Sequence, residues 1–219
     1  MKGAYIIIPA YNEQKHIGKV VRRTKRFCKN IVVVDDGSND RTYESAQKEG
    51  VLVLKHVVNL GKGAAMKTGA EYALRKGASA IVFMDSDGQH RPEDLPRFFK
   101  GLKKADIVFG SRALNKKMPF ILKFGNGFIN ALMRLLFGIK LGDTQSGYRA
   151  IRASAYKKIR WRSTGYSAES EMVALAGKKR LKYKEINIKT IYADKYKGTT
   201  VLDGVKIVLN ILWWRITRW

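Results

Sequence analysis

The sequence predicts an α/β fold in which a mostly parallel, Rossmann-like sheet is flanked by helices. Short runs rich in β-branched residues alternate with longer amphipathic stretches through the first half of the chain, which is the pattern of βαβ units. Polar and acidic residues follow several of these runs, where a parallel sheet places its ligand crevice. The predicted strands span residues 5–8, 31–34, 51–55, 80–84 and 107–109.

Helical segments connect these strands. Gly50 and Gly77 lie where the second and third helices should end, a position that favours glycine. The predicted helices span residues 13–27, 41–49, 62–76 and 92–104.

Beyond Arg112 the pattern changes. A Phe-, Leu- and Met-rich stretch at 118–138 is followed by a polar turn at 142–147, and a further strand is predicted at 183–191. No internal repeat or low-complexity linker divides the chain, so we predict one domain over residues 1–200.

Residues 201–219 predict a separate amphipathic C-terminal helix. Its wide apolar face is interrupted by basic residues, a combination typical of helices at a membrane surface, and the 118–138 stretch has the same character. Core packing and homodimerisation through this face are the alternatives. The apolar face includes Trp213, Trp214 and Trp219.

Composition and charge limit the classes of protein to which this chain can belong. The 219 residues include 43 Lys or Arg and 18 Asp or Glu, a net charge of +25, and the 45% hydrophobic content excludes a disordered chain. The single cysteine, Cys28, excludes an intramolecular disulfide and favours a reducing compartment. Such a charge needs an anionic partner: nucleic acid, a membrane surface or a phosphate-rich substrate.

Acidic and basic residues at the strand ends are the candidate site. Asp85 and Asp87 follow a predicted strand and offer hard oxygen ligands to Mg²⁺ or Mn²⁺, with Gln89 close by; helix capping or a solvated turn is the alternative. Asp36 precedes a Gly-Ser turn, and Lys62 opens a helix whose N-terminus suits an anion, although both segments also fit simple turns.

Arg112 and Arg149 follow a strand and a turn, and their guanidinium groups suit phosphate oxygens. Solvated surface charge is the alternative for each. Glu169 and Glu171, two residues apart, point to different sides of any helix, so one of them could face the site.

Six ordered motifs resemble those of family 2 glycosyltransferases, and most closely the dolichyl-phosphate mannose synthase and polyprenyl-phosphate glycosyltransferase group. The resemblance covers residues 5–152, and the conjunction of motifs is far more specific than any one of them. The motifs are Ile-Pro-Ala-Tyr-Asn-Glu at 8–13, Val-Asp-Asp-Gly-Ser at 34–38, Asn-Leu-Gly-Lys-Gly at 59–63, Asp-Ser-Asp-Gly-Gln-His at 85–90, Gly-Ser-Arg at 110–112 and Asp-Thr-Gln-Ser-Gly-Tyr-Arg at 143–149.

The resemblance implies a GT-A fold, a nucleotide-diphosphate sugar donor, Mg²⁺ or Mn²⁺, and a polyprenyl or dolichyl phosphate acceptor. It also implies a peripheral location at the cytoplasmic face of the cell membrane. By position, the nucleotide-binding residues are Pro9, Tyr11, Glu13, Asp36, Lys62 and Asp85, the metal ligands are Asp85, Asp87 and Gln89, and the catalytic residues are Asp87, Arg112, Asp143 and Arg149.

The implied reaction is an inverting displacement by a lipid phosphate oxygen. A phosphate monoester is already anionic near neutral pH, so the reaction needs no strong general base. If the acceptor were instead a sugar hydroxyl, Asp143 would be the candidate base. Nucleic-acid binding would leave the strand-end aspartates unexplained, so no nucleic-acid partner is expected.

One departure affects the acceptor. Dolichyl-phosphate mannose synthases usually carry Arg and then Gly-Glu-Ser-Lys near the end of the domain, whereas this chain reads Lys-Tyr-Lys-Gly-Thr-Thr-Val at 195–201. Lys195 or Lys197 would have to substitute for the missing charge, without the bidentate geometry of arginine.

Overall fold

The computed structural model describes residues 1–112, 120–189 and 201–217, and of residues 120–124 and 201–203 only the backbone. A seven-stranded sheet has the order β3-β2-β1-β4-β6-β5-β7, in which β6 runs antiparallel to both neighbours and every other pair is parallel. The predicted α/β class is confirmed. The strands are β1 (Ala4–Ala10), β2 (Ile31–Asp35), β3 (Leu52–Lys55), β4 (Ala80–Phe83), β5 (Ile107–Arg112), β6 (Arg149–Arg152) and β7 (Tyr183–Ile188).

The helices cover both faces of this sheet, and a 3₁₀ turn at Pro92–Asp94 precedes the fourth of them. Four of them, α2, α3, α4 and α8, were predicted close to their observed bounds, while the short α6 and the longer α7 were missed. The helices are α1 (Ile17–Thr24), α2 (Thr42–Gln47), α3 (Lys62–Arg75), α4 (Leu95–Leu102), α5 (Phe120–Phe137), α6 (Ala153–Tyr156), α7 (Ser167–Lys178) and α8 (Val201–Ile216).

The first helix begins later than predicted. The sequence placed its start at Glu13, but α1 begins at Ile17. The backbone N–H of Glu13 donates to Thr42 Oγ1 at 2.7 Å, and this bond ties the segment before α1 to the start of α2. The prediction was wrong here because a contact distant in sequence fixes the local backbone.

Two hydrophobic cores lie on opposite faces of the sheet. Alternate residues of β1 enter different cores, as the two-residue period of a strand requires: Ile7 packs under α3, α5, α7 and α8, whereas Ile6 and Ile8 pack under α1 and α4. The C-terminal helix therefore belongs to the fold through one of its faces.

Within the described ranges, no helix is long and apolar enough to cross a membrane. The predicted strand at 183–191 ends at Ile188, and its last two positions lie outside the described residues. The same is true of Lys195 and Lys197.

Candidate active site

A cavity of about 400 Å³ opens at the carboxyl ends of β1, β2 and β4. Its position agrees with the rule that open parallel sheets bind ligands beyond the ends of their strands. Seven of the predicted site residues line this cavity. Six further residues line it that were not predicted as site residues, among them Ser86 between the two aspartates. The lining residues are Pro9, Ala10, Tyr11, Glu13, Asp36, Asn59, Gly61, Lys62, Asp85, Ser86, Asp87, Gly165 and Tyr166.

The segment after β1 is locked to the segment after β2. The backbone N–H of Asn12 donates to Ser38 Oγ at 2.9 Å, and the side-chain oxygen of Asn12 accepts from the N–H of Asn39 at 2.9 Å. Asn12 takes a positive φ of 54°, a conformation that asparagine tolerates well. These bonds hold Tyr11 at the mouth of the cavity and Glu13 in its wall.

Asp36, the residue directly after β2, is buried and accepts hydrogen bonds from three groups. Its oxygens accept from the backbone N–H groups of Leu60 at 3.0 Å and Gly61 at 2.8 Å, and from His56 Nδ1 at 2.6 Å. His56 Nε2 in turn lies 2.9 Å from Thr68 Oγ1 on α3. The role of His56 could not be predicted from the sequence, because its contact with Asp36 joins positions twenty residues apart.

Lys62 links two carboxylates beside the cavity. Its Nζ lies 2.7 Å from Asp85 Oδ1 and 2.8 Å from Glu169 Oε1 on α7. Burial opposes the charge of each partner, but their attraction outweighs it, so the pKa of Lys62 is raised and that of Asp85 falls to about 2. Glu169 is thus the member of the Glu169 and Glu171 pair that faces the site.

The α3 N-terminus is partly occupied by the protein itself. The backbone N–H of Ala64 donates to the carbonyl oxygen of Thr164 at 3.0 Å, and that of Gly61 donates to Asp36. Glu171 holds the same loop, because it accepts from the backbone N–H groups of Arg162 and Ser163 at 2.8 Å each. Lys62, rather than a row of free amides, supplies the positive charge here.

Asp87 and His90 follow β4. Asp87 Oδ1 accepts from the backbone N–H of Gln89 at 2.9 Å, while Gln89 lies outside the cavity lining and contacts the site through its backbone. His90 Nδ1 accepts from the N–H of Asp85 at 3.1 Å, and its ring stacks on Tyr148 with centroids 4.8 Å apart. Burial lowers the pKa of His90, so its neutral form is favoured.

The donor set of Asp85 and Asp87 suits a divalent cation that substrate oxygens complete. Among the described residues, no group of three or more His, Cys, Asp or Glu could hold a metal by itself. Mg²⁺ typically takes one or two carboxylates together with phosphate oxygens and water, so two aspartates facing one cavity fit that requirement.

The polar turn at 142–147 packs closely against Asp85. A Cβ on Gly147 would lie 2.8 Å from Asp85 Oδ1 and 3.0 Å from Lys62 Nζ, which leaves no room for a side chain. At the other end of this turn, Asp143 accepts from Arg112 Nε at 2.6 Å and from Arg112 Nη2 at 3.1 Å. Burial opposes ionisation of Asp143, but Arg112 outweighs it and lowers the pKa.

Arg149 requires a correction. We expected its guanidinium to contact phosphate, but it is almost fully buried and donates to three backbone carbonyls, those of Ser146 at 2.8 Å, Thr144 at 2.7 Å and Glu169. Burial lowers its pKa to about 10, which leaves it charged at neutral pH. Arg149 therefore fastens the polar turn to α7 and does not reach the cavity.

A cavity lined by paired aspartates at the carboxyl ends of a mostly parallel sheet is the arrangement of an α/β enzyme that binds its ligand beyond the strand ends. The model of glycosyl transferase family 2 matches residues 5–160, and the chain belongs to this family. It is a glycosyltransferase with the GT-A fold, as the resemblance implied.

Relatives extend the match to nearly the whole chain. A UDP-N-acetylglucosamine–dolichyl-phosphate N-acetylglucosaminyltransferase of Methanococcus voltae is 37% identical, over 95% of this chain and 94% of that protein. An undecaprenyl-phosphate mannosyltransferase of Micrococcus luteus is 30% identical, over 97% and 94%. The glucosyl-3-phosphoglycerate synthase of Mycobacterium tuberculosis, solved with Mg²⁺ and UDP, is 19% identical, covers 97% of this chain and 78% of its own, and superposes with a TM-score of 0.78.

Proposed function

We propose that this protein is a metal-dependent, inverting glycosyltransferase that moves a sugar from a nucleotide-diphosphate donor to a polyprenyl phosphate at the cytoplasmic face of the cell membrane. The observation that carries the proposal is the cavity in which Asp36, Lys62, Asp85 and Asp87 converge. The similarity to two polyprenyl-phosphate glycosyltransferases over nearly their whole length supports the acceptor class.

The donor occupies the cavity in this proposal. Pro9, Tyr11, Glu13 and Asp36 form the wall for the nucleoside, and Lys62 and Asp85 lie where the diphosphate begins. Mg²⁺ or Mn²⁺ held by Asp85 and Asp87 would stabilise negative charge on the leaving diphosphate. UDP-N-acetylglucosamine is the first donor to test, since the name of the relative from Methanococcus voltae includes this donor.

The acceptor phosphate supplies the nucleophile. One of its oxygens forms a bond to the anomeric carbon while the bond from that carbon to the diphosphate oxygen breaks, and the electron pair leaves with the nucleoside diphosphate. Two anions must be held together, so cationic side chains near the cavity lower the barrier. Arg112 is our candidate for this task, because its side chain is partly exposed beside the polar turn.

The geometry disfavours a hydroxyl acceptor. Such an acceptor needs a base, and Asp143 was the candidate. Both oxygens of Asp143 accept hydrogen bonds from Arg112, and its lowered pKa makes it a weak proton acceptor. A phosphate nucleophile needs no such group, so the arrangement favours the lipid phosphate.

The test is a transfer assay with purified protein, Mn²⁺ or Mg²⁺, a panel of UDP- and GDP-sugars, and polyprenyl phosphate, with products identified by mass spectrometry. We expect a glycolipid whose mass equals polyprenyl phosphate plus one sugar residue. The matched acceptor control is the free polyprenol, which should give no product. Product from the polyprenol, or nucleotide release without any glycolipid, would overturn the proposed acceptor.

A further inference from the structure

The C-terminal helix α8 has two apolar faces. Ile207, Ile211 and Trp214 are buried in the core beneath α5 and α7. The opposite side carries a second apolar stripe at helical spacing, and Trp213 and Ile216 in it are 62% and 78% exposed. Packing among the described residues leaves that stripe exposed, and exposed apolar stripes of this kind mark contact surfaces. The stripe consists of Val205, Leu209, Leu212, Trp213 and Ile216.

The surroundings of the stripe are positively charged. The sequence holds no Asp or Glu from 204 to 219, and Lys206 and Arg215 are exposed on α8. The end of α7 adds more charge: Lys178 Nζ donates to the carbonyl oxygen of Thr217 at 3.4 Å, which places the Lys-Lys-Arg-Leu-Lys run at 178–182 beside the end of α8. All four basic residues of this run are exposed.

We propose that the stripe, together with the basic run at 178–182, docks on an anionic lipid surface with α8 lying in the plane of the interface. The stripe enters the boundary between headgroups and acyl chains, and the Lys and Arg side chains reach the anionic headgroups. The proposal rests on the proposed function in one respect, since a lipid-borne acceptor gives the enzyme a reason to stay at the surface.

A second copy of this chain fits the surface less well. A twofold dimer would place the same patch on both partners and bring Lys206, Arg215 and the basic run against their own copies. An anionic bilayer instead matches the charge. Helix α8 itself lies next to the cavity wall, because Asn210 Nδ2 donates to Ser167 Oγ at 3.0 Å, and Ser167 follows Tyr166 in the cavity lining.

Vesicle sedimentation of the whole chain tests whether the apolar stripe contributes to membrane binding. The vesicles are phosphatidylcholine alone, or phosphatidylcholine and phosphatidylglycerol in equal parts. We expect binding to the anionic vesicles only, and the double variant Leu209→Ser with Trp213→Ser should weaken it by about tenfold or more. Val57→Ser is the matched control, since Val57 is 98% exposed in the segment after β3 and is not part of the stripe.

Two double variants that reverse the charge of lysines test whether the basic run at 178–182 contributes to membrane binding. Lys179→Glu with Lys182→Glu should reduce binding to the anionic vesicles. Lys100→Glu with Lys103→Glu makes the same change in net charge at exposed positions in and directly after the last turn of α4, and should leave most of the binding. Equal losses from both pairs would show that net charge, and not this face, drives binding. Unchanged binding of the Leu209 and Trp213 double variant would also overturn the proposal.

Sedimentation velocity and a soluble acceptor separate the remaining outcomes. A stable wild-type dimer in lipid-free buffer that the Trp213→Ser variant turns into a monomer would assign the stripe to a second copy. Transfer to a short-chain, water-soluble prenyl phosphate reports on function without a bilayer. Transfer without vesicle binding would overturn the docking face alone, and vesicle binding without transfer to any polyprenyl phosphate would overturn the proposed function alone.

Discussion

The ammonium group of Lys62 lies 2.7 Å from Oδ1 of Asp85, so the first aspartate of the Asp85-Ser86-Asp87 motif is paired with a cation of the protein itself. The same ammonium lies 2.8 Å from Glu169. Lys62 thereby joins the start of α3 to α7 across the cavity edge, and it separates two carboxylates that would otherwise repel each other in a partly buried place.

Replacing Lys62 should cost stability as well as donor affinity. In Lys62→Met, Asp85 and Glu169 lose their shared cation, and we expect the free energy of unfolding to fall by about 2–4 kcal/mol, with a raised KM for the donor. Urea denaturation and donor titration measure the two effects. Lys67→Met, an exposed change on the same helix, is the control and should stay within about 0.5 kcal/mol of wild type. Equal stability of the two variants would contradict the bridging role.

Asp87 should matter more for the chemistry than its structural contacts indicate. Its Oδ1 accepts from the Gln89 N–H, and it has no ion-pair partner within 4 Å among the described residues, so its charge is available to a ligand. We expect Asp87→Asn to lower kcat by about 100-fold or more and to raise the metal concentration required for donor binding. Calorimetric metal titrations measure the second effect.

The matched control for Asp87→Asn is Glu44→Gln, which makes the same carboxylate-to-amide change at an exposed position on α2. It should retain wild-type turnover. Retained turnover in Asp87→Asn would instead remove Asp87 from the metal site.

Periodicity predicted the parallel part of the sheet but not its antiparallel insertion. Strand β6 has four residues, begins and ends with arginine, and lies between β4 and β5, so neither its length nor its pattern is that of a central strand. Helix α7 was missed for a different reason. Nine of its twelve residues are buried, so the alternation of apolar and polar faces that predicts a helix is absent.

The strand-end motifs predicted most of the cavity lining because their positions in a parallel sheet are fixed by topology. Contacts between segments that are distant in sequence could not be predicted from these motifs. His56 contacts Asp36 only because β2 and β3 are neighbours, and Arg149 points inward only because α7 packs over the polar turn. From the sequence alone, an arginine after a turn is a reasonable candidate for a phosphate ligand. Only the structure shows that backbone carbonyls surround the Arg149 guanidinium.

Arg149 should behave as a structural residue. Lysine cannot replace a guanidinium that donates to three buried carbonyls, so Arg149→Lys should lower the free energy of unfolding by about 2–3 kcal/mol. Arg152→Lys, in the same strand, is the control, because Arg152 donates through Nε to one carbonyl, that of Ala105. Wild-type stability of Arg149→Lys with a strongly raised KM for polyprenyl phosphate would restore the role in phosphate binding.

Acid should destabilise the protein through Asp85 and Asp143. Their pKa values in the folded state lie below the ordinary 3.8, Asp85 at about 2, so the unfolded chain binds more protons between these values. Their stabilising contribution, about 2 kcal/mol for Asp85, is present above pH 5 and is lost as the pH falls through the folded-state values. Urea denaturation from pH 7 to pH 3 measures it. The difference in unfolding free energy between wild type and Asp143→Asn should be largest at pH 7 and should shrink as the pH falls. A difference that is independent of pH would show that Arg112 does not stabilise the charge of Asp143.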